Sequence, residues 1–153
     1  RSSMATIDAQ SKMAQSLGTS TASMQVLARA ADRAGISTGE MEQIARQLTM
    51  RLSEVAATGG GPAAKALKRL NLTAEGLGKL TLDQKIATIN KAIQDTIPAA
   101  EQAAIATALF GSRAGIAAGR LDAATIEAAR LELERQLAVR LGQLAPRGRV
   151  HLA

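Results

Sequence analysis

The stretch from Ile36 to Leu70, ISTGEMEQIARQLTMRLSEVAATGGGPAAKALKRL, contains the start of one helix and a break before the next. Ser37 with Glu40 three residues later is the capping-box pattern, in which each side chain accepts a hydrogen bond from the other residue's backbone N–H. Apolar residues then recur every three or four positions over residues 41–55, as on one face of a helix. The stretch therefore predicts a long amphipathic helix that begins near residue 38.

The glycines at the break, Gly59, Gly60 and Gly61, allow three interpretations. A phosphate-binding loop needs a strand before the glycines and a Lys-Ser/Thr pair after them. Here a helical segment precedes them and Pro-Ala-Ala-Lys follows, so we favour a break between two helices, with Pro62 in the first turn of the second. As a hypothesis, Gly59–Gly61 form a hinge that lets the flanking helices change angle; a fixed turn is the alternative.

Caps and apolar stripes elsewhere predict an all-α fold, an irregular bundle of short helices with a longer C-terminal helix. Thr73, Thr81 with Gln84, and Asp122 are the expected N-caps, and Pro98 is expected in a first helical turn. Four glycines are expected just after helices: Gly18, Gly35, Gly111 and Gly119. The predicted helices are 5–17, 21–34, 38–57, 62–70, 74–79, 82–96, 98–110 and 122–144.

The composition excludes several classes of protein. The 153 residues include 46% hydrophobic residues but only 1% aromatics, and there is no cysteine for a disulfide or a thiolate metal site. No apolar run reaches the roughly 18 residues of a membrane span. The only histidine is His151, three residues from the end, and the carboxylates do not converge in sequence. We therefore expect no enzyme activity, no cofactor and no metal.

The basic residues indicate an alternative function. The net charge is +6, and Lys65, Lys68 and Arg69 share one face of a short predicted helix. Arg147 and Arg149 lie in a basic tail, residues 146–153. A basic helical module could bind nucleic acid or a membrane surface, but no aromatic residues are interleaved for base stacking. The plainer interpretation of Lys65, Lys68 and Arg69 is a solvated outer face.

The last predicted helix carries an apolar stripe at spacings of three and four, with charged flanks and further apolar residues on another face. The stripe predicts either a coiled-coil contact, and hence a homo-oligomer, or a helix that closes its own bundle. Leu131 and Val139 lie off the stripe. The flanks are Glu127, Arg130, Glu134, Arg135 and Arg140. The stripe is Ile126, Ala129, Leu133, Leu137, Leu141 and Leu144.

The order of these features resembles the tail tape-measure proteins of long-tailed bacteriophages and prophages, over roughly residues 14–119. In that family a helix and a Gly-rich break are followed by a fixed series of short motifs, each weak alone. Asn71 replaces the usual glycine, and the apolar run common in the family after Gly115 is absent. The matching stretches are Ala66-Leu67-Lys68-Arg69-Leu70-Asn71-Leu72, Thr73-Ala74-Glu75, Leu80-Thr81-Leu82-Asp83, Ala99-Ala100-Glu101-Gln102-Ala103 and Leu109-Phe110-Gly111-Ser112-Arg113-Ala114-Gly115.

The resemblance implies a structural role. Tape-measure proteins are long helical chains inside the growing tail tube; their length sets tail length, and they leave ahead of the DNA at infection. It implies a place in the virion, assembly in the bacterial cytoplasm, and contacts with tail-tube or tail-tip proteins. The present chain is far shorter than such proteins, so it would be a fragment or a domain. The expected division is a tape-measure-like helical domain at 1–121, a long amphipathic helix at 122–145 and a basic tail at 146–153.

Overall fold

The computed structural model describes residues 4–144, with side chains described for residues 8–143. Every regular element in residues 4–144 is a helix, which confirms the all-α prediction, and the last helix is the longest at 22 residues. The helices are α1 (Met4–Leu17), α2 (Thr21–Ala34), α3 (Thr38–Thr58), α4 (Pro62–Arg69), α5 (Ala74–Gly78), α6 (Leu82–Thr96), α7 (Ala99–Phe110), α8 (Gly115–Ala118) and α9 (Ala123–Leu144).

The N-terminal caps predicted at Ser37, Thr73 and Asp122 form, and at Thr81 the backbone N–H donates to Gln84 Oε1 at 3.1 Å. The Glu40 N–H donates to Ser37 Oγ at 3.1 Å, and the Ser37 N–H donates to Glu40 Oε1 at 3.1 Å, which completes the capping box of α3. Thr73 Oγ1 accepts from the Gly76 N–H at 2.9 Å at the start of α5. Asp122 Oδ1 accepts from the Thr125 N–H at 2.8 Å at the start of α9. Each acceptor satisfies a donor that a helix terminus leaves without an internal partner.

Two predicted roles at helix ends, those of Pro98 and Gly119, differ from what the structure shows. Pro98 lies before α7 with φ −57° and ψ 145°, and the helix begins at Ala99. The proline ring clashes with the residue before it when that residue has helical φ and ψ angles. Ile97 is therefore extended, and α7 begins only after Pro98. Gly119 has φ −62°, not the expected left-handed conformation. The N–H groups of residues 119–121 bond to carbonyls three residues earlier, so the right-handed turn of α8 continues past Gly119.

The core lies between α2, α3, α6, α7 and the start of α9. Phe110, the only aromatic residue, is fully buried at the end of α7. Leucine and isoleucine supply most of the rest, which fits the apolar stripes that predicted these helices. The other large, fully buried side chains are Met24, Leu27, Ile44, Leu48, Leu82, Ile86, Ile89, Leu109 and Leu121.

Two buried polar side chains fix α6 to its neighbours. Ser23 Oγ donates to Asp83 Oδ1 at 2.7 Å and accepts from the Asp83 N–H at 3.1 Å, which joins α2 to the start of α6. Asn90 Nδ2 donates to the carbonyls of Ala118 and Leu121 at 2.8 and 2.7 Å. Those two carbonyls end α8 and precede α9, so Asn90 sets the position from which α9 starts. Buried polar groups with partners on other helices specify one arrangement of a bundle.

Candidate interaction surface

The last helix, α9, has two halves with different surroundings. We call residues 123–133 its proximal half and residues 134–144 its distal half. The proximal half contacts α2 and α6, and its Ile126 and Ala129 are 4% and 0% exposed. Of the two alternatives for the stripe, the proximal half thus follows the one in which the helix closes its own bundle, because the core buries Ile126.

The proximal half is also held by charge. Arg29 Nη1 lies 3.0 Å from Glu132 Oε1, and Arg33 Nη1 lies 3.7 Å from Glu132 Oε2. Both arginines belong to α2, so Glu132 joins α2 to α9. All three side chains are between 29% and 45% exposed, and each pair is therefore worth only a fraction of a kcal/mol to about 1 kcal/mol. Burial of apolar side chains therefore contributes most of the free energy that holds this half of α9 against the bundle.

The distal half continues the same stripe without a partner in the described chain. Every side chain from Glu134 to Gln143 is exposed, including Leu137 at 53% and Leu141 at 58%. Leu133, at the boundary, packs partly against the core. The Leu144 side chain lies outside the described residues. Of the predicted interface, Leu137 and Leu141 are thus the described members that remain accessible.

Charges on α9 are largely neutralised along the helix. Arg130 pairs with Glu127 one turn before it, and its Nη1 lies 2.6 Å from Glu134 Oε2 one turn after it. The hydrogen bond to Glu127, followed by the charges of Glu127 and Glu134, raises the pKa of Arg130. Three of the five predicted flank residues, Glu127, Arg130 and Glu134, therefore pair within one chain. Arg135 and Arg140 make no ion pair among the described side chains.

The glycine break is a turn with defined geometry. Gly59 ends α3 with φ 72° and ψ 6°, and Gly61 precedes α4 with φ 97° and ψ 169°. A Cβ at Gly61 would collide with the Glu54 carboxylate, and the Gly60 N–H donates to Thr58 Oγ1 at 3.1 Å. Glycine adopts these positive φ angles without the steric cost that a Cβ would bring, which accounts for glycine at positions 59 and 61. A change of angle at Gly59–Gly61 stays a prediction.

The structure leaves fewer unpaired basic side chains on α4 than the sequence predicted. Lys65 and Lys68 are exposed, but Arg69 Nη1 lies 2.6 Å from Glu101 Oε1 of α7. This pair uses one of the three positive charges to join α4 to α7. Residues 145–153, with His151 and the predicted basic tail, lie outside the described residues. On α4, the basic side chains exposed outside this ion pair are therefore Lys65 and Lys68.

Some of the positions that carry the family resemblance are packing positions. Leu67, Leu70, Leu109 and Phe110 are buried, between 0% and 3% exposed. Asn71 has φ 58°, the left-handed conformation expected for a residue in place of glycine. The buried motif residues Leu67, Leu70, Leu109 and Phe110 thus pack the ends of α4 and α7 against the core.

Two residues important for packing were missed by the sequence reasoning. Asn90 lies on a helix face among isoleucines, and nothing in the sequence indicates that two carbonyls from a later turn meet it. Gly115 starts α8 against α7, where a Cβ would lie 3.1 Å from the Thr107 backbone nitrogen. The single turn of α8 has no apolar period long enough to predict it.

The described part of the chain has neither a metal-binding cluster nor a membrane-spanning helix. Residues 4–144 contain no cluster of three or more histidine, aspartate or glutamate side chains able to hold a metal ion. Nor does any helix in that range have the length and hydropathy to cross a bilayer. A shallow pocket of about 190 Å³ lies between α3 and the α7–α8 turn, lined by Gln47, Arg51, Phe110 and Arg113. Arg51 Nη1 already donates to the Ala108 carbonyl at 2.9 Å, so it fastens α3 to α7.

Comparison of the chain with protein-family models, with curated proteins and with solved structures gives no match. The distal half of α9 is therefore the candidate functional site on structural grounds: an accessible apolar stripe on a helix anchored at its other end.

Proposed function

We propose that this chain is a structural and interaction segment of a phage tail tape-measure protein. In this role it contributes to tail length determination and tail assembly and leaves the tail at infection. The observation that carries the proposal is the order of the motifs from Ser37 to Gly115, since each motif alone is common. The tail-tube and tail-tip proteins are the proposed partners, and the virion is the proposed location.

The packing of the motifs supports this proposal. Leu67, Leu70, Leu109 and Phe110 are buried, so several apolar positions of the motifs belong to the interior of one helical unit. Other motif positions, such as residues 99–101, lie on its surface. A chain whose motifs serve packing suits a protein that assembles and does not catalyse. The exposed stripe of the distal half of α9 supplies a surface through which such a unit can contact a neighbour.

The rival function is a basic helical module that binds nucleic acid or a membrane surface. Its support is the net charge of +6 and the exposed Lys65 and Lys68. The pairing of Arg69 with Glu101 weakens it, because a paired arginine is less available to a phosphate. The two functions predict different responses to salt.

The discriminating experiment measures binding of the purified chain to the tail-tube protein of its parent phage and to duplex DNA, each at about 50 and 200 mM salt. Binding through several phosphate contacts should fall by orders of magnitude over that range, whereas apolar helix packing should change little. The proposal expects salt-resistant binding to the tube protein. Salt-sensitive binding to DNA without binding to the tube protein would replace it with the rival. A long parent gene among tail genes would support the same conclusion independently.

A further inference from the structure

The pocket between α3 and the α7–α8 turn, residues 111–114, is bordered by side chains that donate hydrogen bonds. Gln43, Gln47 and Arg51 line it from α3, and Ser112 and Arg113 line it from the turn. Two of these five side chains carry a permanent positive charge. No aspartate or glutamate is among the described residues that line the pocket. The pocket is therefore rich in donors and positively charged.

The acidic side chains of the two segments that form the pocket are held elsewhere. On α3, Glu40 accepts from a backbone N–H at the helix start, and Glu42 lies 3.8 Å from Arg46. Glu54 is directed at the glycine break. Residues 102–121, which contain the other wall, include no aspartate or glutamate. The two guanidinium groups at the pocket consequently form no ion pair with any described side chain.

Arg51 is held in place while part of its guanidinium group stays free. Its Nη1 donates to the Ala108 carbonyl at 2.9 Å, and its Nε donates to Gln47 Oε1 at 3.4 Å. Its Nη2 makes no hydrogen bond with the described chain. Because Gln47 Oε1 is used by Arg51, the NH2 group of Gln47 remains as a further donor. A side chain that is already fixed loses little conformational entropy when a ligand binds.

Gly111 allows the turn to approach α3. It has φ 90°, and a Cβ at this position would lie 3.4 Å from the Gln47 side chain. Glycine adopts this angle without steric cost, so the turn can place Ser112 and Arg113 at the same pocket as Arg51. The fully buried Phe110 also lines the pocket. Apolar surroundings strengthen the attraction between a guanidinium group and an anion.

We propose that this pocket binds a small oxyanion, a carboxylate or a phosphate group. Guanidinium groups hold both through paired N–H···O hydrogen bonds, and amide and hydroxyl donors can bind the remaining oxygens. A cation would be repelled by the two arginines, and an apolar ligand would leave the donors without partners. The bound oxyanion joins α3 to the α7–α8 turn. Such binding is separate from the proposed tail function, which concerns contacts with other proteins.

The first test is a titration of the full chain with sodium phosphate and, separately, with sodium acetate, at constant ionic strength. The backbone amide shifts are followed by NMR. Saturable shifts are expected in the millimolar range at residues 47, 51 and 111–114. The exposed Lys65 and Lys68 of α4 are the internal control for general attraction of anions to positive charge. Their amides should show no saturable shift.

The second test repeats the titration with a matched pair of variants. Arg113→Gln removes one charged donor from the pocket and should weaken binding at least about tenfold. Because this side chain is exposed, the variant should fold as the wild-type chain does, and circular dichroism checks this. The control, Arg120→Gln, removes the same charge from an exposed residue that does not line the pocket. It should leave the affinity unchanged.

The outcomes separate a specific site from general electrostatic attraction. Saturation with phosphate alone would assign the pocket to phosphate groups, and saturation with acetate would assign it to carboxylates; both support the inference. Shifts that rise linearly with both probes would overturn it. So would an Arg120→Gln variant that binds as weakly as Arg113→Gln, because the net charge of +6 would then explain the attraction. The proposed tail function is decided separately, by binding to the tail-tube protein.

Discussion

The proximal and distal halves of α9 have similar sequences and different surroundings. Both carry the same apolar stripe at spacings of three and four, and both are helical. Yet Ile126 is 4% exposed and Leu137 is 53% exposed. The difference arises because Leu133 is the last residue of α9, among those described, that packs against the core. The comparison shows that an apolar stripe in the sequence identifies the helix face that is able to be buried. Which part of that face is buried depends on how far the neighbouring helices extend along it.

The largest expected difference between the halves is in the cost of removing a stripe residue. Ile126→Ala should lower the free energy of unfolding by about 2–5 kcal/mol, because it leaves a cavity in the core. Leu137→Ala in the distal half should change it by less than about 0.5 kcal/mol. Urea denaturation of dilute chain measures both. Similar losses for the two variants would show that the distal half is packed, and Ile126→Val provides a milder variant if Ile126→Ala does not fold.

A smaller effect is expected where α9 is positioned. Asn90→Ala leaves the carbonyls of Ala118 and Leu121 without their buried donor, which should lower the free energy of unfolding by about 1–3 kcal/mol. Gln94→Ala, one turn later on an exposed face of α6, is the control and should have little effect. The same urea titration measures both. An Asn90→Ala variant as stable as the control would mean that the start of α9 is held by apolar contacts alone.

A weaker effect on stability is expected at the ion pairs that join the proximal half of α9 to α2. Glu132→Ala should lower the free energy of unfolding by about 0.2–1 kcal/mol, because its ion pairs with Arg29 and Arg33 are partly exposed. The loss should shrink as salt is added. Glu134→Ala, whose partner Arg130 is on the same helix, should cost less because it joins no two elements. A loss at Glu132 that is independent of salt would contradict an electrostatic origin.

The smallest effect is expected at a glycine in the distal half. Gly142 is helical and exposed, and a Cβ there would meet nothing within 4 Å. Gly142→Ala should raise the helix content measured by circular dichroism slightly, because alanine is favoured over glycine by up to about 1 kcal/mol within a helix. The free energy of global unfolding should not change. Gly115→Ala is the contrasting variant, since the new Cβ would press on the Thr107 backbone, and a loss of stability is expected there.

Much of the fold could be predicted from local chemistry. The capping box of Ser37 and Glu40, the caps at Thr73 and Asp122, and the break before Pro62 all form as the sequence indicates. These features depend on neighbours within a few residues, so the chain itself specifies them. The candidate surface was predicted only in part: Leu137 and Leu141 are accessible, whereas Ile126 is part of the core.

The sequence alone therefore determined that the chain is helical, where most helices begin, and which faces are apolar, because each of these depends on residues within one or two turns. Only the tertiary structure decided how far each apolar face is covered. It placed Asn90 beneath two carbonyls about thirty residues away, took Arg69 into an ion pair with Glu101, and ended the core at Leu133. Such contacts join residues far apart in the chain, and a periodic pattern contains no information about the position or length of the helix that will lie against it.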